Sequence, residues 1–231
     1  MGLLGIFIIT MIISLIISST LKGKFRNYSK IPLEYGLTGK QVAEKMLQEN
    51  GIYNVSVVSV KGELTDHYNP LKKTVNLSPD VYHSNSVAAA AIAAHECGHA
   101  VQHANAYSWL EFRSALVPVQ NASARILNII FMLMFFGAFI LPSLINFDLA
   151  IIIIIACYTI FTLFAFVTLP VEIDASRRAL AWLQSTKITS NETHAKAKDA
   201  LKWAAYTYII AALGALAQLL FWIMLFLGRR D

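Results

Sequence analysis

Two apolar runs separated by three residues decide how this chain is built. Ile126 to Ile145 (ILNIIFMLMFFGAFILPSLI) and Leu149 to Leu169 (LAIIIIIACYTIFTLFAFVTL) are joined only by Asn146-Phe147-Asp148. Each run approaches the roughly 20 apolar residues that a helix needs to cross about 30 Å of hydrocarbon. A helix satisfies its own backbone polar groups, so two such runs with so short a link predict a tight transmembrane hairpin. Further out, Leu3 to Leu21 and Ala204 to Leu227 are equally apolar and supply a first and a fourth span.

The rest of the composition agrees. The 231 residues are 56% hydrophobic and 14% charged, with a mean hydropathy of +0.55. Ordinary soluble domains carry about a quarter charged residues, which excludes disorder, a coiled coil and a typical cytosolic enzyme. Two cysteines, Cys97 and Cys157, with no Cys-x-x-Cys, exclude a disulfide framework, a cysteine-rich zinc site and thioredoxin-like chemistry. Net charge is +5, yet no basic run alternates with aromatics, so nucleic acid is not an expected partner.

The charge reports topology instead. Of the nineteen Lys and Arg residues, eleven lie in 22–125, six in 170–203 and none in 146–148. The positive-inside rule puts both large polar segments in the cytoplasm and makes the lipid bilayer a partner, with a prokaryotic plasma membrane expected. Arg229 and Arg230 in the tail run against that rule if the fourth span crosses fully. The first run lacks a basic leader and is followed by Lys22, Lys24, Arg26 and Lys30, so it reads as an uncleaved anchor.

The expected fold is an α+β membrane protein, mainly helical, with about four transmembrane helices and a small cytoplasmic zincin-like α/β domain. Its divisions are an anchor (1–21), the zincin-like domain (22–125), the hairpin (126–169), a cytoplasmic helical segment (170–203) and a last helix with tail (204–231).

Within the polar domain, Thr38 reads as the N-cap of a helix carrying Val42, Ala43, Met46 and Leu47, ended by Asn50-Gly51. Val55 to Val60 reads as a strand closed by Lys61-Gly62, and Leu64–Tyr68 with Thr74–Leu77 as a hairpin around Asn69-Pro70. Ser84 to about Ala104 is alanine-rich and helical. It carries His95-Glu96-Cys97-Gly98-His99, an HExxH.

Residues four apart lie on one helix face, so both imidazoles can reach one zinc ion. Glu96, one residue on, can act on a water beside the metal without ligating it. Cys97 should face away from the metal, and Gly98 should mark a close approach of another element. A catalytic zinc wants a third protein ligand. The candidates are His103, Glu111, His67, Asp66, Asp174 and Glu172. One straight helix cannot wrap His95, His99 and His103 around a tetrahedral ion, and Glu111 follows too soon unless the helix breaks near Asn105. Asp66 and His67 suit the substrate cleft. Glu172 is favoured, because the two intervening spans return the chain to the side of the HExxH. Asp174 is then a candidate to orient a ligand histidine by hydrogen bond.

With these residues in place, the chain resembles the YugP family of membrane neutral zinc metallopeptidases. The resemblance rests on Leu64–Pro70, Thr74–Ser78, Ala91–His103, Arg113–Pro118 and Leu169–Leu180. It is more distantly similar to HtpX-type and CAAX-prenyl-type membrane proteases. Those usually carry an aspartate four residues beyond the glutamate ligand, where this chain has Ser176. The resemblance implies a gluzincin-type metalloendopeptidase with His95, His99 and Glu172 as zinc ligands and Glu96 as catalyst.

The expected function is therefore zinc-dependent hydrolysis of peptide bonds in protein or peptide substrates at the cytoplasmic membrane face. Arg113, Arg178 and His103 are candidates to stabilise the oxyanion, and the edge of the 64–77 hairpin could pair with an extended substrate. A rival reading is a catalytically idle zinc-containing scaffold or quality-control adaptor, which would not need Glu96. An intramembrane protease is disfavoured because the apolar stretch before the motif, Val87–Ala94, is too short. A transporter is disfavoured because the spans hold no ionisable residue.

Overall fold

The computed structural model describes residues 2–140 and 146–229. Ten elements follow one another: α1 (Leu3–Tyr28), α2 (Gly39–Glu49), β1 (Ser56–Ser59), β2 (His67–Asn69), β3 (Thr74–Leu77), α3 (Pro79–Tyr82), α4 (Val87–Ala104), α5 (Ser108–Ile140), α6 (Phe147–Ser185) and α7 (Asn191–Leu227). The protein is mainly helical, and α1, α5, α6 and α7 are long and apolar enough to cross a membrane. The end of the second expected span, 141–145, lies outside the described residues.

The helices run further than the apolar runs that announce them. α5 begins eighteen residues before Ile126, with Pro118 inside it, and α6 continues through Pro170 to Ser185. Pro170 therefore neither starts nor ends a helix.

The chain divides into two compact units. The apolar unit comprises Met1–Leu15, Phe112–Leu169 and Tyr208–Asp231. Its buried cluster is small: Leu127 of α5, Ile151, Ile154 and Cys157 of α6, and Trp222 of α7. Large apolar side chains such as Leu4, Phe135 and Met224 point outward, as expected where hydrocarbon replaces water. At one end Arg229 Nε lies 3.4 Å from Asp148 Oδ1, so the tail and the 146–148 link share that end.

The polar unit comprises Ile16–Glu111 and Pro170–Thr207. Thr38 caps α2 as expected: its side chain accepts from Gln41 N, and Gln41 returns the bond to the Thr38 backbone. Such caps contribute about 1 kcal/mol. The sheet has the order β1-β3-β2, with β1 parallel to β3 and β2 antiparallel to it. β2 is shorter than its sequence pattern suggested and forms a free edge. α3, a single turn after β3, had no sequence signal beyond Pro79.

The core of this unit gathers Val42, Met46 and Leu47 of α2, Val75 and Leu77 of β3, the alanine face of α4, Ala179 and Leu183 of α6, and Ala197 and Leu201 of α7. Alanines give α4 a narrow profile, so its neighbours come close. Cys97 is fully buried on the α2 side, its Sγ 3.5 Å from Ala43 O, and thus faces away from the histidines. At Gly98 the approach is closer still: a Cβ there would sit 2.6 Å from the Ala175 carbonyl oxygen of α6. Gly98 lets two backbones meet.

Candidate metal centre

That contact brings α4 and the Pro170–Ser185 part of α6 together, and their facing side chains make the centre. His95 and His99 project from adjacent turns of α4, with ring centroids 4.9 Å apart. Glu172 enters from α6. Its Oε2 lies 3.3 Å from His95 Nε2 and 3.5 Å from His99 Nε2. One donor atom from each residue lies within 4.8 Å of the others. Tetrahedral zinc, bound at about 2.0–2.1 Å, holds its donors about 3.3–3.4 Å apart. The two measured nitrogen–oxygen separations match that spacing closely.

A second observation points to a cation. Glu172 is 4% exposed, and its Oε2 has no hydrogen-bond partner. A buried carboxylate oxygen left so is costly unless a positive charge faces it. Burial alone would raise the Glu172 carboxyl, but the two imidazoles outweigh it and hold it far below the usual carboxylate range. Conversely, burial would lower His99, and Glu172 reverses that to raise it.

The outer imidazole nitrogens are engaged too. Ser176 Oγ lies 3.0 Å from His95 Nδ1, and Gln102 Oε1 lies 3.0 Å from His99 Nδ1. Partners of this kind orient ligand histidines in metal sites. Neither was singled out from the sequence as an orienting group. Asp174, the residue proposed for that role, touches no histidine: it accepts from Gln102 Nε2 at 2.9 Å and from Arg177 and Arg178. Burial would raise its carboxyl, but Arg178, Gln102 and Arg177 together hold it below its ordinary value.

Glu96 is 9% exposed, and its Oε2 accepts from the backbone N–H of Tyr68 on β2 at 3.0 Å. The edge strand thus holds the carboxylate that follows the first histidine. His103 is outside the donor cluster and pairs through Nδ1 with the Tyr68 hydroxyl at 2.8 Å. Arg178 stacks over the Tyr107 ring besides binding Asp174. Arg113 belongs to the apolar unit, its guanidinium over the Phe164 ring. Asp66 accepts from Ser78 N and Oγ, His67 Nδ1 pairs with Thr65 O, and Glu111 sits in the first turn of α5. None of these three joins the cluster.

The fold and site define a mainly helical protein with four helices long and apolar enough to cross a membrane and a His-His-Glu donor set on two helices. The chain belongs to the family described as "Putative neutral zinc metallopeptidase", whose model matches residues 3–227. A protein of Bacillus subtilis (strain 168) described as "Putative membrane protease YugP" is 39% identical over 210 residues, covering 91% of this chain and 90% of that protein. No solved structure matches the chain.

Proposed function

We propose that this protein is a zinc-dependent metalloendopeptidase of the gluzincin type, embedded in the cell membrane and acting at its cytoplasmic face. The observation that carries the reading is the meeting of two imidazole Nε2 atoms with a buried, unpartnered Glu172 Oε2. His95, His99 and Glu172 would hold one zinc ion. Zinc bound there would lower the pKa of a water toward about 7 and polarise the scissile carbonyl.

The chain's own groups supply the proton transfers. Glu96 accepts the proton of the attacking water and passes it to the leaving nitrogen. The Tyr68 N–H orients that carboxylate. In β2, His67, Tyr68 and Asn69 stand opposite Asn76, Val75 and Thr74. The Tyr68 N–H is directed to Glu96 rather than into the sheet, so an extended peptide laid along this edge would lie beside the base. The substrate class is protein or peptide, and membrane proteins fit a site carried by a membrane-anchored chain. The cytoplasmic assignment follows from the seventeen basic residues in the two polar segments.

The test is metal analysis of purified wild type and Glu172→Ala, together with a casein-type cleavage assay. Near-stoichiometric zinc in the wild type, lost with cleavage in the variant, is expected. Unchanged zinc in Glu172→Ala overturns the ligand assignment. Zinc without any cleavage would favour the scaffold reading.

A further inference from the structure

Gln102 is fully buried, and nothing in the HExxH pattern asks for it. Its amide has two ends of opposite character. Nε2 lies 2.8 Å from the Val171 carbonyl oxygen and 2.9 Å from Asp174 Oδ2. A carbonyl and an ionised carboxylate only accept, so the NH2 end must face them and Oε1 must face His99. That oxygen also only accepts, so the hydrogen across the 3.0 Å contact belongs to His99 Nδ1. The lone pair on Nε2 is then left to meet Glu172 Oε2, 3.5 Å away.

The other histidine is treated differently. Its partner, the Ser176 hydroxyl, donates or accepts equally well and enforces neither tautomer.

We propose that Gln102 is the positioning residue of the metal centre: backed by Asp174 and the Val171 carbonyl, it locks His99 with Nδ1 protonated and Nε2 free to ligate, before any metal arrives. The same amide fastens α4 to the turn of α6 that presents Glu172, so ligand orientation and ligand spacing are set together. His95 is oriented but not locked. This inference rests on the zinc reading above and names the part of the chain that prepares the site.

The experiment measures zinc affinity by chelator competition on the full-length protein in detergent. Wild type is compared with Gln102→Met, Ser176→Ala, Asp174→Asn and the double exchange Gln102→Glu/Asp174→Asn. Thermal melting of each metal-free form reports folding. Gln102→Met keeps the volume but removes the acceptor, and should lose about 10–100-fold in affinity, more than Ser176→Ala loses. The double exchange returns an acceptor to His99 and a donor at position 174, though none to the Val171 carbonyl, and should bind zinc more tightly than Gln102→Met. The visible spectrum of the cobalt-loaded protein should shift in Gln102→Met and not in the exchange, which a packing role alone would not produce.

A folded Gln102→Met that binds zinc like wild type overturns the proposal. If that variant does not fold, Asp174→Asn, whose amide oxygen is a weaker acceptor for Gln102 Nε2 than the carboxylate, must bind zinc more weakly than wild type; equal affinities overturn it. A folded wild type that binds no zinc overturns the functional reading and this inference with it. Tight zinc binding that is indifferent to residue 102 overturns this inference alone.

Discussion

Leu183 and Leu133 are the same side chain in two different settings. Leu183, in the polar unit, is fully buried, whereas Leu133, in the apolar unit, is 54% exposed. Both obey one rule, removal of apolar surface from water. In the polar unit other side chains do the removing; in the apolar unit, on the proposed membrane reading, lipid would. The difference teaches where a reactive site can be built. A unit whose interior is closed by its own packing can hold Glu172, His95, His99 and Gln102 dry and orient each by a neighbour. A unit that faced hydrocarbon would need only enough internal contact to keep its helices together.

The sharpest way to test that division is to remove chemistry from the packed interior without disturbing it. Glu96→Gln should retain zinc and lose about 10²–10⁴-fold in peptide hydrolysis, measured by metal analysis beside a cleavage assay. Near-normal turnover would show that the base lies elsewhere. Next in size is the leucine pair itself. Leu183→Ala should cost about 2–5 kcal/mol by cavity formation. Leu133→Ala should stay within about 0.5 kcal/mol, since no packed cavity forms. Equal effects in a denaturation series would erase the distinction between the units.

Gly98→Ala probes the closest contact in the packed interior. Its methyl would press on the Ala175 carbonyl, costing about 1–3 kcal/mol and weakening zinc binding. A variant as stable and as metal-avid as wild type would show that the two helices give way freely.

Acid provides a subtler probe. Asp199 joins Lys24 at 2.8 Å and Tyr28 at 2.6 Å, tying α7 to α1. Burial would raise its carboxyl, but Lys24 and Tyr28 outweigh that and hold it below its ordinary value. A lowered folded-state pKa contributes stability that is present above the unfolded value of about 3.9 and lost as pH falls through the folded one. The stability of Asp199→Asn should therefore change less with pH below about 4 than that of wild type. Identical acid titrations would remove the tie. A small effect is also expected at the exposed Arg229–Asp148 pair, where Arg229→Ala should shift stability by less than about 1 kcal/mol.

Much of this was legible in the residues. Apolar run length gave the four long helices, Thr38 with Gln41 gave the cap, and the four-residue histidine spacing gave a shared helix face. Cys97 was read from helical angle, and Gly98 from its missing side chain. Glu172 was favoured in the sequence because the two intervening apolar runs, read as spans, would return the chain to its starting side. The partners of the histidines were not legible. Gln102 and Ser176 acquire their roles only where α4 meets α6, across 69 to 81 residues of sequence. A buried glutamine three residues after a histidine looks, in one dimension, like any polar residue on a helix. Asp174 was given the right neighbourhood and the wrong contact, because its reach is spent on two arginines and an amide. The helix boundaries at Ser108 and Ser185 were missed because hydropathy marks where lipid begins, not where the helix does.

The bare α-carbon at position 98 carries a last consequence. Because a peptide oxygen lies only 2.6 Å from where a first side-chain atom would go, the calibre of the jaws that bring the carboxylate to both rings is machined to the width of one hydrogen. Enlarging anything between the two rods acts as a shim, and every shim moves the carboxylate tip away from both rings at once.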